Sequence, residues 1–221
     1  MTDGPGSRPR VAVLDYGAGN LRSAQRGLER AGADVTVTDD AGEADRADAL
    51  VVPGVGHFAT CLASLRTAGL ADLARRWVQA DRHVFGICVG MQLLYERSDE
   101  GDTEGLGVLP GQVRRLTADV VVPHMGWDVV RAAEGRQDLL LDGVAGQRTY
   151  FVHSYYAQPS DPAHVVATCD YGGIFPCIVR VGNVVGTQFH PEKSADVGAR
   201  LLANWVTEVA RSARSHDQVS P

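Results

Sequence analysis

Cys88 stands between two glycines in Gly86-Ile87-Cys88-Val89-Gly90, the thiol form of the G-x-S-x-G turn that presents a nucleophile where a strand passes into a helix. The spacing has a steric reason. A strained strand-to-helix turn leaves no room for Cβ atoms two residues away on either side, and glycine has none. A helix opening at the cysteine adds unpaired N–H groups and a partial positive charge, both of which favour the reactive thiolate. A cysteine without such surroundings is more often a small buried apolar residue. Here the flanking glycines, the preceding apolar run and the helix-like continuation Met91-Gln92-Leu93-Leu94-Tyr95-Glu96 point to a nucleophile.

A base and its orienter are offered by Gln188-Phe189-His190-Pro191-Glu192. In an extended segment residues two apart share a face, so His190 and Glu192 point the same way, and Pro191 stiffens the link. A carboxylate so placed can hold an imidazole ring. A lone histidine at a strand end commonly has no special role, and metal ligation needs a third ligand that the sequence does not identify. Cysteine with His-x-Glu supplies thiolate, general base and orienter, the three parts of a nucleophilic triad.

These groups need a scaffold. Arg10–Leu14, Asp34–Thr38, Ala49–Val52 and the run from His83 into Cys88 read as buried strands, with helical spacing at Leu21, Ala24, Leu28 and Ala31 and again at Leu70, Leu73, Ala74, Trp77 and Val78. Repeated strand–helix units predict a parallel sheet. Asp15-Tyr16-Gly17-Ala18-Gly19-Asn20 closes the first strand, with Asn20 as candidate helix N-cap. It lacks the third glycine of a dinucleotide fingerprint. Pro53-Gly54-Val55-Gly56 closes the third strand; it is either an ordinary tight turn or a bare backbone loop able to give one N–H to an oxyanion, the N–H of Val89 being the other.

After the acidic turn Ser98–Asp102 the texture changes to short strands: Leu106–Leu116, Trp127–Val130, Arg148–Ala157, Val165–Thr168 and Cys177–Phe189, the last with a hairpin turn at Val181–Val184. Val122-Pro123-His124-Met125-Gly126-Trp127, too apolar for a plain exposed loop, packs beneath a loop or forms a patch for a partner protein. Val197, Leu201, Leu202, Trp205, Val206 and Val209 predict a closing amphipathic helix. The expected architecture is a single α/β domain over residues 10–210, flavodoxin-like, with a largely parallel central sheet flanked by helices plus a small antiparallel strand-rich layer. Residues 1–9 are expected to be a disordered leader and 211–221 a polar tail.

Composition narrows the class. Apolar residues make up 44% and charged residues 22% of 221 positions, as in ordinary globular proteins. A net charge of -6 argues against a dedicated nucleic-acid binder. Lys193 is the only lysine, which confines Schiff-base chemistry to one position. No run approaches the length of a membrane span and the first ten residues lack a signal-peptide centre, so no membrane association is expected. Four cysteines, Cys61, Cys88, Cys169 and Cys177, do not make a disulfide scaffold; they are read as reduced, in a cytoplasmic protein.

Taken together, the residues around Cys88 and His190 resemble the triad glutamine amidotransferases, which hydrolyse glutamine to glutamate and ammonia. Asp15–Leu21, Pro53–Gly56, Pro123–Trp127, Tyr150–Tyr155 and Pro191–Ser194 look like the motifs of one branch, the glutaminase subunits of imidazole glycerol phosphate synthases. The resemblance spans about residues 10 to 210. It implies the class I amidotransferase fold, no cofactor and no metal, and a heterodimer with a (β/α)8-barrel cyclase subunit that receives ammonia through an internal tunnel and makes imidazole glycerol phosphate and an aminoimidazole carboxamide ribotide in histidine biosynthesis. By the same resemblance Cys88 attacks the glutamine amide, His190 relays protons and Glu192 holds its ring. Val55 and Val89 would supply the oxyanion hole, Gly54, Gln92, Ser154 and Tyr155 would line the glutamine site, and Tyr16, Asn20, Met125 and Trp127 would face the cyclase. Activity of the isolated chain is expected to be weak. The chain departs from the family pattern at Val89, where leucine is commoner, and at Asp128, where asparagine is usual. Other readings are a glutaminase for another ammonia-channelling synthase, such as one making pyridoxal phosphate, a stand-alone cysteine hydrolase, or a non-catalytic scaffold.

Overall fold

A computed structural model describes residues 8–117 and 119–217. The expected leader lies mostly outside them; of that stretch Pro9 is buried and its carbonyl accepts from the Asp34 N–H.

The first half alternates strands and helices: β1 (Arg10–Leu14), α1 (Leu21–Arg30), β2 (Asp34–Thr38), α2 (Ala41–Ala44), β3 (Ala49–Gly54), α3 (Phe58–Thr67), α4 (Leu70–Gln79), β4 (His83–Cys88) and α5 (Val89–Gln92). The second half is strand-rich: β5 (Tyr95–Ser98), β6 (Thr103–Glu104), β7 (Leu109–Arg115), β8 (His124–Val129), β9 (Arg131–Ala132), β10 (Arg148–His153), β11 (Tyr155–Pro159), β12 (Val165–Asp170), β13 (Ile174–Val181) and β14 (Val184–Thr187), before α6 (Ala195–Asp217). The main sheet has the order β2-β1-β3-β4-β14-β13-β12-β9. Its strands run parallel from β2 to β14 and antiparallel beyond. A β8–β10 ribbon and a four-stranded sheet, β11-β7-β5-β6, form the smaller layer.

The central parallel strands are largely apolar because both of their faces are covered: β3 and β4 are buried from end to end. On α6, Leu201, Leu202, Trp205, Val206 and Val209 are buried, and the Trp205 ring lies 5.1 Å from that of Phe85 in β4. Helix α1 packs on α6, and α3 on α4.

Several boundaries differ from the sequence reading. The helix after Cys88 ends at Gln92, and Tyr95 and Glu96 belong to β5. Val89 to Gln92 are all buried, leaving no solvent face for a longer amphipathic helix, and the chain turns at once into the second sheet. The stretch Arg148–Ala157 is two strands broken at Ser154, each entering a different sheet. Helix α3 was not anticipated, although Phe58, Cys61, Leu62 and Leu65 recur at helical spacing and are its buried residues. The expected polar tail continues α6 through Asp217; the rest of it lies outside the described residues.

Candidate active site

Strands β3, β4 and β14 are neighbours and parallel, so their carboxyl ends bring Gly54, Cys88 and the segment leading to His190 to one edge of the sheet. Open α/β sheets bind ligands at such an edge. Cys88 has φ 53° and ψ -114°, a region that side-chain-bearing residues enter only at a cost of about 1–3 kcal/mol. The crowding expected of a nucleophile turn is present. A Cβ on Gly86 would lie 2.5 Å from Met91 Cα, and one on Gly90 would overlap the Val52 carbonyl oxygen. The strain is therefore held in place by packing on both sides of the turn. Val89, first in α5, has a backbone N–H without a partner inside the helix.

His190 and Glu192 are both buried, with Nδ1 2.8 Å from Oε1. The pair does not sit in a fully extended segment: His190 has strand-like backbone angles, and Pro191–Lys193 form a single 3-10 turn. That turn folds the carboxylate back onto the ring. Because a carboxylate only accepts, Nδ1 carries a proton and Nε2 is left for chemistry. Nε2 is buried and makes no hydrogen bond of good geometry. Burial lowers the pKa of the ring, but the Cys88 sulfur and the Glu192 carboxylate raise it by more, so the imidazolium form is favoured. The Ser194 hydroxyl clamps the segment, donating to the His190 carbonyl at 2.7 Å and accepting from the Tyr150 N–H at 3.0 Å.

Cys88, Val89 and His190 open onto a cavity of about 240 Å³ also lined by Val55, Gly56, Gln92, Ser154 and Tyr155. Gly54 does not line it; it is buried as the last residue of β3. Glu100, His153 and Gln188 were not anticipated from the sequence. Glu100 lines the cavity while its Oε2 accepts from the Phe58 N–H at 2.7 Å, at the first turn of α3. Gln188, fully buried, has Nε2 3.5 Å from Cys88 Sγ. His153 also lines the cavity; its pKa is lowered to about 3, by burial first and then by repulsion from His124 and His190, against a hydrogen bond to the Tyr155 carbonyl. Gln188 could have been suspected only from its place two residues before the expected base.

The Pro53–Gly56 loop is anchored from below. The Tyr16 hydroxyl donates to the Pro53 carbonyl, and the Cys61 thiol donates to the Val55 carbonyl at 3.2 Å. Tyr16 is buried, and its side chain supports the loop. Asn20 occupies the N-cap position of α1, but its side chain makes no capping hydrogen bond. Met125 and Trp127 are 64% and 46% exposed on β8. All four cysteines are free, and burial pushes Cys61 up to about 11 and Cys169 up to about 12, which leaves those two thiols inert at neutral pH.

The fold and this cleft define an α/β amidotransferase built around a cysteine. The sequence model for "Glutamine amidotransferase class-I" matches residues 12–209. Imidazole glycerol phosphate synthase subunit HisH of Halobacterium salinarum is 49% identical over 215 residues, covering 93% of this chain and 96% of that protein. The same subunit of Mycolicibacterium paratuberculosis is 50% identical over 201 residues, covering 89% and 96%. The chain belongs to the class-I glutamine amidotransferases and, within them, to the HisH subunits of imidazole glycerol phosphate synthase. A crystal structure of a glutamine amidotransferase shares the fold at a TM-score of 0.71 and 24% identity, covering 91% of this chain and 98% of that one. Among the described residues no helix is long and apolar enough to cross a membrane.

Proposed function

We propose that this chain hydrolyses glutamine to glutamate and ammonia through Cys88, His190 and Glu192, and passes the ammonia to a (β/α)8-barrel cyclase subunit in histidine biosynthesis. The observation that carries the reading is the buried His190–Glu192 pair at 2.8 Å beside a cysteine held on a strained turn. The Cys88 thiolate attacks the side-chain amide carbon, and the carbonyl π pair moves onto oxygen. The N–H groups of Val89 and Val55, whose residues line the cavity, would receive that oxyanion, a contribution that typically amounts to about 3–4 kcal/mol per donor. His190 gives its Nε2 proton to the departing nitrogen as the C–N bond breaks. Ammonia leaves and a glutamyl thioester remains. Water then attacks the thioester, His190 takes its proton, and glutamate departs as the thiolate re-forms.

Met125 and Trp127, large side chains left wet on β8, suit the surface that meets the cyclase, since buried aromatic and Met anchors are enriched at interface centres. The test is a paired assay of the complex. Cys88→Ala should abolish product formation from glutamine and preserve it when free ammonia is supplied. Product formation from glutamine unchanged by Cys88→Ala would exclude the thiol route.

A further inference from the structure

We infer that Gln188 belongs to the catalytic apparatus, donating a hydrogen bond to the nucleophilic sulfur, and that Gln92 is a positioning residue that holds it in the donating orientation. The inference rests on the reading of Cys88 as the nucleophile.

The polarity of the contact follows from its neighbours. Gln92 Nε2 lies 2.8 Å from the Tyr155 carbonyl oxygen and 3.0 Å from Gln188 Oε1. Both partners are acceptors, so the Gln92 amide must present its NH2 end to them. With Oε1 of Gln188 occupied by that donor, the NH2 of Gln188 is the end turned to Cys88 Sγ, at 3.5 Å. Flipping Gln188 would set two NH2 groups against each other and turn an oxygen toward the sulfur. The Tyr155 carbonyl is fixed in turn by His153 Nδ1 at 2.9 Å. Gln188, Gln92 and His153 are all buried, and each bond is stronger than it would be in solvent.

An N–H donor distinguishes the two forms of the cysteine. A thiol is a weak acceptor, whereas a thiolate concentrates a full charge on the sulfur, so the bond selectively stabilises the ionised nucleophile. The donor also lies two residues before His190, and the Gln188 N–H is tied to the Cys177 carbonyl at 2.9 Å. One short segment thus delivers an amide to the sulfur and an imidazole to the same cavity. The glutamines are 96 residues apart, and Gln188 is 100 residues from Cys88, which is why no local motif announces the arrangement.

The test is the pH dependence of Cys88 alkylation by iodoacetamide in the purified full chain, with Cys88→Ala as the blank. Gln188→Leu and Gln188→Glu remove the donor, the second without loss of volume. In each variant that melts cooperatively, the alkylation midpoint should rise by about one pH unit, a tenfold loss of thiolate. In the complex, kcat for glutamine should fall about tenfold or more with KM within twofold. Gln92→Leu should shift the midpoint in the same direction by less, because the Gln188 amide is then free to turn. A midpoint unchanged in either folded Gln188 variant overturns the inference. The alkylation readout needs no turnover, so it fails independently of the paired glutamine and ammonia assay.

Discussion

Cys88 and Gly54 face each other across the last rung of the parallel β3–β4 ladder. Cys88 therefore sits directly beside the start of the Val55–Gly56 segment that lines its cavity. The approach is close enough that a Cβ on Gly54 would press on the Gly90 backbone nitrogen, while one on Gly90 would run into the Val52 carbonyl. The two strands and the turn are packed against each other through bare backbone.

Gly90→Ala should consequently destabilise the protein as an overpacking change, by about 1–3 kcal/mol or more. For a chain of this size that corresponds to a fall in Tm of roughly 2–4 °C per kcal/mol. Thermal melts followed by circular dichroism would measure it. An unchanged Tm would mean that the turn can relax, and the strain at Cys88 would then have a different support.

Glu192→Gln should leave the His190 ring in place but remove the charge that raises its pKa. A group with a raised pKa keeps its proton until pH passes the folded value, so losing Glu192 brings deprotonation of His190 to lower pH. The basic limb of kcat/KM should move down, and kcat should fall by about 10²–10⁴-fold, as when the orienting carboxylate of a triad is replaced by an amide. A full pH–rate profile of the complex measures both. A basic limb that stays in place would count against the pairing.

Glu100→Gln probes substrate binding. A carboxylate lines the cavity with only one oxygen engaged by the Phe58 N–H, and an amino-acid substrate brings an ammonium group. The amide keeps the volume and can still accept from Phe58. KM for glutamine should rise about tenfold or more while kcat changes by less than threefold, the pattern of lost uniform binding. A kcat effect with KM unchanged would place Glu100 elsewhere in the mechanism.

The parts of the site that could be read from the sequence are those fixed by local spacing. The turn at Cys88 announces itself because glycine is demanded two positions to each side, and His190 with Glu192 because the two are separated by one residue. The alternating strands and helices of the first half carry simple periodicities, and the parallel order follows from them. What escaped has long-range causes. The break at Ser154 exists because β10 and β11 pair with different sheets, which no pattern within Arg148–Ala157 encodes. Nothing local announces that the Tyr16 ring is buried and that its hydroxyl donates to the Pro53 carbonyl in another loop. Glu100 read as part of an exposed acidic turn until folding set it beside α3.

Asp128 stands at the partly exposed end of a chain of buried histidine side chains. His153 Nδ1 donates to the Tyr155 carbonyl at 2.9 Å, so its Nε2 accepts from His124 Nδ1 at 3.1 Å. The neutral His124 then turns a bare Nε2 toward Asp128 Oδ2, 3.4 Å away, and two acceptors face each other. Only protonation of His124 makes that contact favourable, and burial, the dominant effect over the attraction of Asp128, holds the His124 pKa below the ordinary value. Besides His153, the rings packed on His124 are those of Phe151, Tyr171 and Phe175, which supply no further charge. A histidine whose folded pKa is depressed binds fewer protons than in the unfolded chain, so stability falls as pH drops below about 6.5. Asp128 limits that loss by raising the His124 pKa. Asp128→Asn should therefore change stability by an amount that depends on pH. At pH 8 the new amide can donate to the neutral ring and stabilise the fold by about 0.5–1.5 kcal/mol. As pH falls, loss of the counter-charge leaves His124 with a lower folded pKa than in the parent, so that advantage should shrink. Melts of both proteins at pH 8 and pH 5.5 measure this, and an advantage that grows toward pH 5.5 would refute the proton arrangement assigned to His153 and His124.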